Sequence, residues 1–253
     1  MLPEERRHRI LGVIEHQGYA RLGELAQAMG TSIDTVRRDI DSLDAGGFVD
    51  RTRGGAVARG AQPGIRPLAA RIGTASPGKR RIAQAAAALI SDGTSIVING
   101  GSTTLAFVEA LDAVRLSIVT NSLQIPSAVS ADAVAQMHVL GGRVHPDVGA
   151  TVGSGMFRGD ASIAADVAVL GVGALSATRG LSMADPDEAE LTRGMMRAAA
   201  KTIVLCDAGK FGREALAVVA PLADVDLVVV DEPPPTALVA ALADAGVEVL
   251  VAG

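Results

Sequence analysis

The first sixty positions carry apolar residues at helical spacing. Ile10, Leu11 and Ile14 form the inward side of a helix predicted over Pro3 to His16, with Arg6, Arg7 and Arg9 on its outer side. Those three arginines suit phosphate contact or a solvated face equally well. Arg21 to Met29 reads as a short amphipathic helix closed by Gly30. In the next helix Ile33, Val36, Ile40 and Leu43 make one apolar stripe, while Thr35, Arg37 and Arg38 point elsewhere. Ser32 is its predicted N-cap, and Asp34 adds negative charge at the positive end of the helix dipole. Gly46-Gly47 ends this helix, and Phe48–Asp50 with Thr52–Val57 pattern as a small hairpin. Two short helices about a glycine turn, followed by a hairpin, spell a winged helix-turn-helix over residues 1–58, with Arg51 and Arg53 on the wing.

From Arg59 to Gly78 the pattern lapses into Gly, Pro and Ala, with Pro63, Pro67 and Pro77 opposing helix, so residues 59–78 read as a linker. Residues 79–253 then alternate. Predicted helices at Lys79–Ile90, Thr103–Leu111, Gln124–Ala131, Asp187–Ala200 and Pro235–Ala245 are interleaved with apolar strands. The strands fall at Ser95–Ile98, Ser117–Thr120, Met137–Leu140, Val167–Gly171, Thr202–Cys206, Val225–Val230 and Val247–Val251. Buried strands alternating with helices imply a larger α/β domain, Rossmann-like, with a mostly parallel sheet covered on both faces. Ligands in such folds sit at the carboxyl ends of the strands.

Composition narrows this picture. With 49% hydrophobic and 20% charged residues in 253, the chain suits a globular protein of one large or two ordinary domains. No signal peptide and no apolar run of membrane-spanning length is apparent, which points to a cytoplasmic protein with no membrane partner. The single cysteine, Cys206, excludes an intramolecular disulfide framework and reads as a small buried hydrophobe. The net charge of −5 argues against nucleic-acid binding, but affinity follows a local basic patch rather than the total. Arg37, Arg38, Arg51 and Arg53 provide such a patch in sequence.

Ile96 to Leu105 places a strand, two glycines and a run of hydroxyls at a helix start. Glycines let the backbone approach an anion, which the free N–H groups and helix dipole then bind. Both the Walker loop and the dinucleotide fingerprint are missing. Taken alone, the segment reads equally well as Ser/Thr capping.

A resemblance sharpens both halves. Glu24-Leu25-Ala26, Thr35-Val36-Arg37-Arg38-Asp39-Ile40, Leu43 and Arg51-Thr52-Arg53-Gly54-Gly55-Ala56 resemble the N-terminal region of the DeoR family of bacterial transcription regulators, with Arg53 where the family usually has His. Asn99–Thr104, Thr120–Leu123, Leu140-Gly141-Gly142, Asp185 with Glu188-Ala189, and Asp207–Gly212 follow the order of its sensor domain, which is similar to ribose-5-phosphate isomerase. The resemblance implies that Gly101, Ser102, Thr103 and Thr104 hold a phosphate, with Asn99 and Gly100 leading into them. It also implies that Asn121, Asp185, Glu188 and Lys210 line the sugar end and that Lys79 assists the anion. The chain departs from the family at Asn99, Gly100, Thr192, Ala208 and Gly209, which alters the pocket's donors and charge and leaves the effector class open.

Other chemistry is thin. His8, His16, His138 and His145 are scattered without metal-ligand spacing, so neither metal nor cofactor is expected. Gly153-Ser154-Gly155 lacks the spacing of a nucleophile elbow and reads as a loop. The expectation is a non-enzymatic repressor that reads operator DNA as a homo-oligomer, dimer or tetramer. Ser32, Thr35, Arg37, Arg38, Arg51 and Arg53 face the duplex, and a phosphorylated sugar or polyol releases it. The rivals are a sugar-phosphate isomerase or deaminase with a DNA-binding appendage, and a C-terminal oligomerisation platform.

Overall fold

The computed structural model describes residues 2–17, 19–52, 54–58, 68–73, 77–153 and 163–253. The chain divides into two compact units, Met1–Thr74 and Ala75–Gly253.

The N-terminal unit runs α1 (Pro3–Gln17), β1 (Tyr19–Arg21), α2 (Leu22–Met29), α3 (Ile33–Ala45), β2 (Val49–Thr52), β3 (Gly55–Ala58) and α4 (Leu68–Gly73). Gly30 ends α2 in the left-handed region at φ 61, returning its N–H to the carbonyls of Ala26 and Gln27. Two residues later Ser32 caps α3, its Oγ accepting from the Thr35 N–H at 3.2 Å. Ile10, Ile14, Leu25, Val36, Ile40 and Val49 close one core between the three helices and the sheet. Ile33, expected in the apolar stripe, is 48% exposed; the buried position is taken by Asp39, only 5% exposed. Arg6 of α1 explains that exchange. Its Nε donates to Asp39 Oδ2 at 2.5 Å and its Nη2 to Oδ1 at 3.2 Å, a two-pronged grip between α1 and α3. Arg7 donates to Ser42 Oγ at 3.0 Å, so these two arginines of α1 face α3.

The antiparallel sheet has the order β1-β3-β2. The segment read as a turn at Tyr19 is thus its third strand, too short for two-residue alternation to register. A side chain at Gly55 would place Cβ 2.2 Å from the Ala20 carbonyl oxygen, so β3 can lie against β1 only because that position is glycine. The sequence reading of 59–78 as linker needs amendment: Leu68 begins a short helix touching α1, and Pro77 opens the next one. Proline is tolerated in a first turn because its missing N–H has no helical partner there.

The C-terminal unit comprises α5 (Pro77–Ala87), β4 (Ser95–Ile98), α6 (Ser102–Glu109), β5 (Leu116–Thr120), α7 (Ile125–Ala128), β6 (Val134–Val139), β7 (Arg143–His145), β8 (Ala150–Val152), β9 (Ala165–Gly171), β10 (Ala174–Ser176) and β11 (Gly180–Met183). It continues with α8 (Pro186–Arg197), β12 (Ala199–Cys206), β13 (Ala217–Ala220), β14 (Leu227–Val230), α9 (Thr236–Asp244) and β15 (Glu248–Val251). Seven strands form one parallel sheet in the order β15-β14-β12-β9-β4-β5-β6. Successive strand residues bury on opposite faces. Val97, Leu170, Val204 and Val228 share one core with α8 and α9, while Ile96, Val169, Ile203 and Val229 share another with α5 and α6. This accounts for the unbroken apolar runs in the sequence. Two short antiparallel features fall outside the expected alternation: the β7–β8 hairpin and the sheet β10-β11-β13. Several of their strands have three residues, below the length at which periodicity is legible.

The chain lays β4, β5 and β6 outward in one direction, then returns to set β9 beside β4 and works outward the other way. The switch point is therefore between β4 and β9, where such sheets open a crevice at the strand ends. Cys206, at the end of β12, is fully buried, and burial pushes its thiol up to about 12, leaving a protonated core group.

The Gly55 contact can be tested directly. Gly55→Ala forces a methyl group into the β1 backbone and is expected to destabilise the N-terminal unit by about 1–3 kcal/mol. The loss would appear as a lower urea midpoint; an unchanged midpoint would remove this close approach as a constraint.

Candidate DNA interface and effector site

Among the proposed DNA contacts, Ser32, Thr35, Arg37 and Arg38 cluster on the N-terminal half of α3, the part of a reading helix that meets base edges. Ser32 and Thr35 also share a hydrogen bond between their hydroxyls at 2.8 Å. The Arg37 Nη1 lies 2.7 Å from Asp34 Oδ1 in an exposed pair one helical turn apart. Exposed pairs are worth about 0.2–1 kcal/mol, so a phosphate or guanine edge can displace Asp34 at little cost. Arg38 is exposed and, among the described residues, carries no ion pair. Arg51 turns back to α3: its Nη1 lies 2.6 Å from Asp41 Oδ1, and its backbone N–H donates to Asp44 Oδ1 at 3.2 Å. In this arrangement the Arg51 side chain joins wing to helix through an exposed pair of the same kind as Arg37–Asp34. Arg53 lies outside the described residues.

At the switch point, Asn99 follows the last residue of β4. Its Nδ2 donates to the Gly171 carbonyl and its Oδ1 accepts from the Gly171 N–H, each at 2.8 Å, so one amide joins the ends of β4 and β9. Asn121, just past β5, accepts the Gly100 N–H at 2.8 Å and donates to the Thr151 carbonyl at 2.8 Å. The Thr104 hydroxyl donates back to the Asn99 carbonyl at 2.8 Å and approaches that of Gly101 at 3.1 Å. These side-chain atoms of Asn99, Asn121 and Thr104 have partners in the protein and shape the turn.

What the turn presents is the start of α6. Gly101 occupies its N-cap without a side chain, and the N–H groups of Ser102, Thr103 and Thr104 lie in the first turn, where a helix offers them no acceptor. Gly100 must be small: a Cβ there would sit 2.7 Å from that of Ala150 on β8. Ser102 is half-buried, and Thr103 is 2% exposed with no partner for its hydroxyl among the described residues. This geometry can receive an anion through backbone donors and the helix dipole.

The remaining candidates collect at the same end of the sheet. Lys210 follows β12 and lies 3.4 Å from Asp207 Oδ2. Lys79 is half-buried in the first turn of α5, beside Gly78, which packs on Asp231 just after β14. Asp231 in turn accepts the Ala208 N–H at 2.8 Å, tying the start of α5 to the segment that carries Lys210. Asp185 is the N-cap of α8, with Oδ1 accepting the Glu188 N–H at 2.9 Å; Glu188 lies half-buried one turn on. Thr192 is buried in α8, its hydroxyl facing the Met183 sulfur at 3.5 Å. One residue escaped the sequence reading. His145, at the end of β7, is 4% exposed, and its Nε2 lies 3.6 Å from Asp185 Oδ2. Nothing in its spacing marks it out in the sequence; it is buried where His8 and His138 are exposed. Among the described residues no cluster could hold a metal ion, and no helix is long and apolar enough to cross a membrane.

A winged helix-turn-helix unit in one chain with a doubly wound sheet defines a class: a DNA-binding module fused to a Rossmann-like α/β domain. The sequence matches the DeoR-like helix-turn-helix domain over residues 6–61 and the DeoR C terminal sensor domain over residues 74–232. The chain belongs to the DeoR family of transcriptional regulators. It is 30% identical to the HTH-type transcriptional repressor GlcR of Bacillus subtilis, over 99% of this chain and 97% of that protein. It is 29% identical to a putative aga operon transcriptional repressor of Escherichia coli O157:H7, over 98% and 94%, and 27% identical to the glycerol-3-phosphate regulon repressor of Escherichia coli K12, over 96% and 97%. A solved ribose-5-phosphate isomerase in complex with phospho-erythronic acid overlaps 53% of this chain and 52% of that one, at 21% identity and a TM-score of 0.39. That last likeness concerns fold alone.

The Asn99 bridge predicts its own deletion phenotype. Asn99→Ala leaves both backbone groups of Gly171 without their partner and should cost the C-terminal unit about 1–3 kcal/mol. Equilibrium unfolding measures it, and wild-type stability would show that the strand ends hold without the amide.

Proposed function

We propose that this chain is a DNA-binding transcriptional repressor of a carbohydrate operon, released from its operator by a phosphorylated sugar or polyol bound in the C-terminal unit. The observation that carries the effector half is the start of α6. Two asparagines and a threonine fix a Gly-Gly turn so that unfulfilled N–H groups converge at the switch point. Lys79 and Lys210 place positive charge at the same end of the sheet, which suits a dianionic phosphate. The naming of relatives after repressors, one of them of a glycerol-3-phosphate regulon, supports the reading.

The DNA half rests on α3, with Arg37 and Arg38 reaching guanine edges or phosphates from the major groove. A single winged module binds weakly, so the working form is a homo-oligomer on repeated half-sites in the cytoplasm. Release requires only that the phosphosugar bind the DNA-free arrangement more tightly than the bound one. Turnover is no part of this reading.

Two measurements test the two halves. Arg37→Ala with Arg38→Ala should weaken binding to the promoter DNA of the flanking genes by about 5- to 150-fold for each guanine no longer read, with unchanged circular dichroism. Retained gel-shift affinity would discredit α3 as the reading helix. Glucose 6-phosphate, fructose 6-phosphate or glycerol 3-phosphate should raise the melting temperature, while the free sugars and glycerol do not. At one hundred times its Kd a ligand adds about 2.7 kcal/mol of stability, and a flat response across all three would count against the sensor.

A further inference from the structure

Resting on the sensor reading above, we propose that His145 and Asp185 form the hydroxyl-recognising half of the effector site, opposite the anion cradle at the start of α6. His145 and Ala150 are directly opposed across β7 and β8, so their side chains share one face of the hairpin. Ala150 directs its Cβ at Gly100, as shown by the 2.7 Å gap that a Gly100 side chain would leave. His145 therefore stands on the face that rests on the Gly-Gly turn. That face is held in place from two sides. Asn121 donates to the Thr151 carbonyl and accepts from Gly100, and α8 packs against β8. Arg143, two residues before His145 on the same side of β7, pairs with Asp187 at 2.9 Å, so the hairpin meets the first turn of α8.

The chemistry of the pair is unusual for a protein interior. His145 is 4% exposed, yet neither ring nitrogen has a hydrogen-bond partner among the described residues. Asp185 is 5% exposed; its Oδ1 caps α8, while its Oδ2 faces His145 Nε2 at 3.6 Å. That separation is too long for a direct hydrogen bond. It suits a hydroxyl oxygen lying about 2.8 Å from each, donating to the carboxylate and accepting from the ring. Buried polar groups without partners inside a protein are rare, and an imidazole carries one donor and one acceptor. The Thr103 hydroxyl, also buried without a partner, lies in the first turn of α6 and adds a third such group at the cradle itself. The ligand class follows: a phosphate ester whose carbon chain bears hydroxyls, held by the phosphate at α6 and by a hydroxyl at His145 and Asp185.

The test compares ligands and variants in the full chain. Affinities of wild type, His145→Leu and His145→Asn are measured by calorimetry for inorganic phosphate, glucose 6-phosphate, fructose 6-phosphate and glycerol 3-phosphate, together with the melting temperature without ligand. His145→Leu should bind inorganic phosphate as wild type does and lose about tenfold or more for the best phosphosugar. Without ligand it should melt at or above the wild-type temperature, because it removes polar atoms that lack partners. His145→Asn, which keeps a donor and an acceptor, should recover part of the lost affinity. A phosphosugar affinity unchanged in His145→Leu overturns the assignment while leaving the sensor reading intact. Lower melting with loss of every ligand in both variants makes His145 a structural residue and also overturns it. If wild type binds none of the three esters, the sensor reading fails first and this assignment falls with it.

Discussion

The C-terminal unit depends on one amide. A parallel sheet whose strand order reverses leaves two neighbouring strands, here β4 and β9, with loops departing to opposite faces. Backbone polar groups at that parting lose their ladder partners, and an unpaired buried N–H or carbonyl is costly. Asn99 answers both at once, donating to and accepting from Gly171. Everything that presents donors at the switch point follows: Gly100 is held by Asn121, Thr104 closes the turn, and α6 starts where its N–H groups are free.

The N-terminal unit uses the same logic with charge in place of an amide. Asp39 is buried within the core stripe of α3 and meets two nitrogens of Arg6. A lone buried carboxylate would be heavily penalised, so the pair fixes both the approach of α1 and the rotation of α3 about its axis. With Val36, Asp39, Ile40 and Leu43 inward, Arg37 and Arg38 are left on the outside. In both units, then, a buried polar side chain orients the segment to which the proposed function assigns recognition.

The sequence made much of this legible and concealed the rest for physical reasons. The long apolar strands and the Ser32 cap could be read because periodicity and capping are local. The three-residue strands β1, β7, β8 and β10 could not, since alternation needs more length than that to register. Asp39 and Ile33 exchanged roles because an apolar stripe gives no hint that an acid will be buried against an arginine 33 residues away. Asn99 and Asn121 were legible as residues at strand ends, but polar type alone does not say whether an amide faces a ligand or its own backbone. His145 illustrates the converse, since its environment is assembled from β7 and α8, which are distant in sequence.

Charge bears on how such a regulator works under the proposed function. The net −5 is unevenly distributed: residues 1–74 hold eleven arginines against nine carboxylates, so the excess acid lies in the other unit. Within the reading region Asp34 and Asp41 occupy Arg37 and Arg51, leaving Arg38 among the described cations of α3 and β2 without an ion pair. DNA must compete with those carboxylates, which lowers the affinity of one module. Occupancy then comes from several modules bound at once, where each added module multiplies the rest. A weak module is also easily regulated: a coupling of about 1–3 kcal/mol changes affinity roughly 5- to 150-fold. The sensor therefore has no need of a large rearrangement. A modest preference of the phosphosugar for one arrangement of an oligomer suffices, because the acids beside the reading arginines already keep each single interaction close to balance.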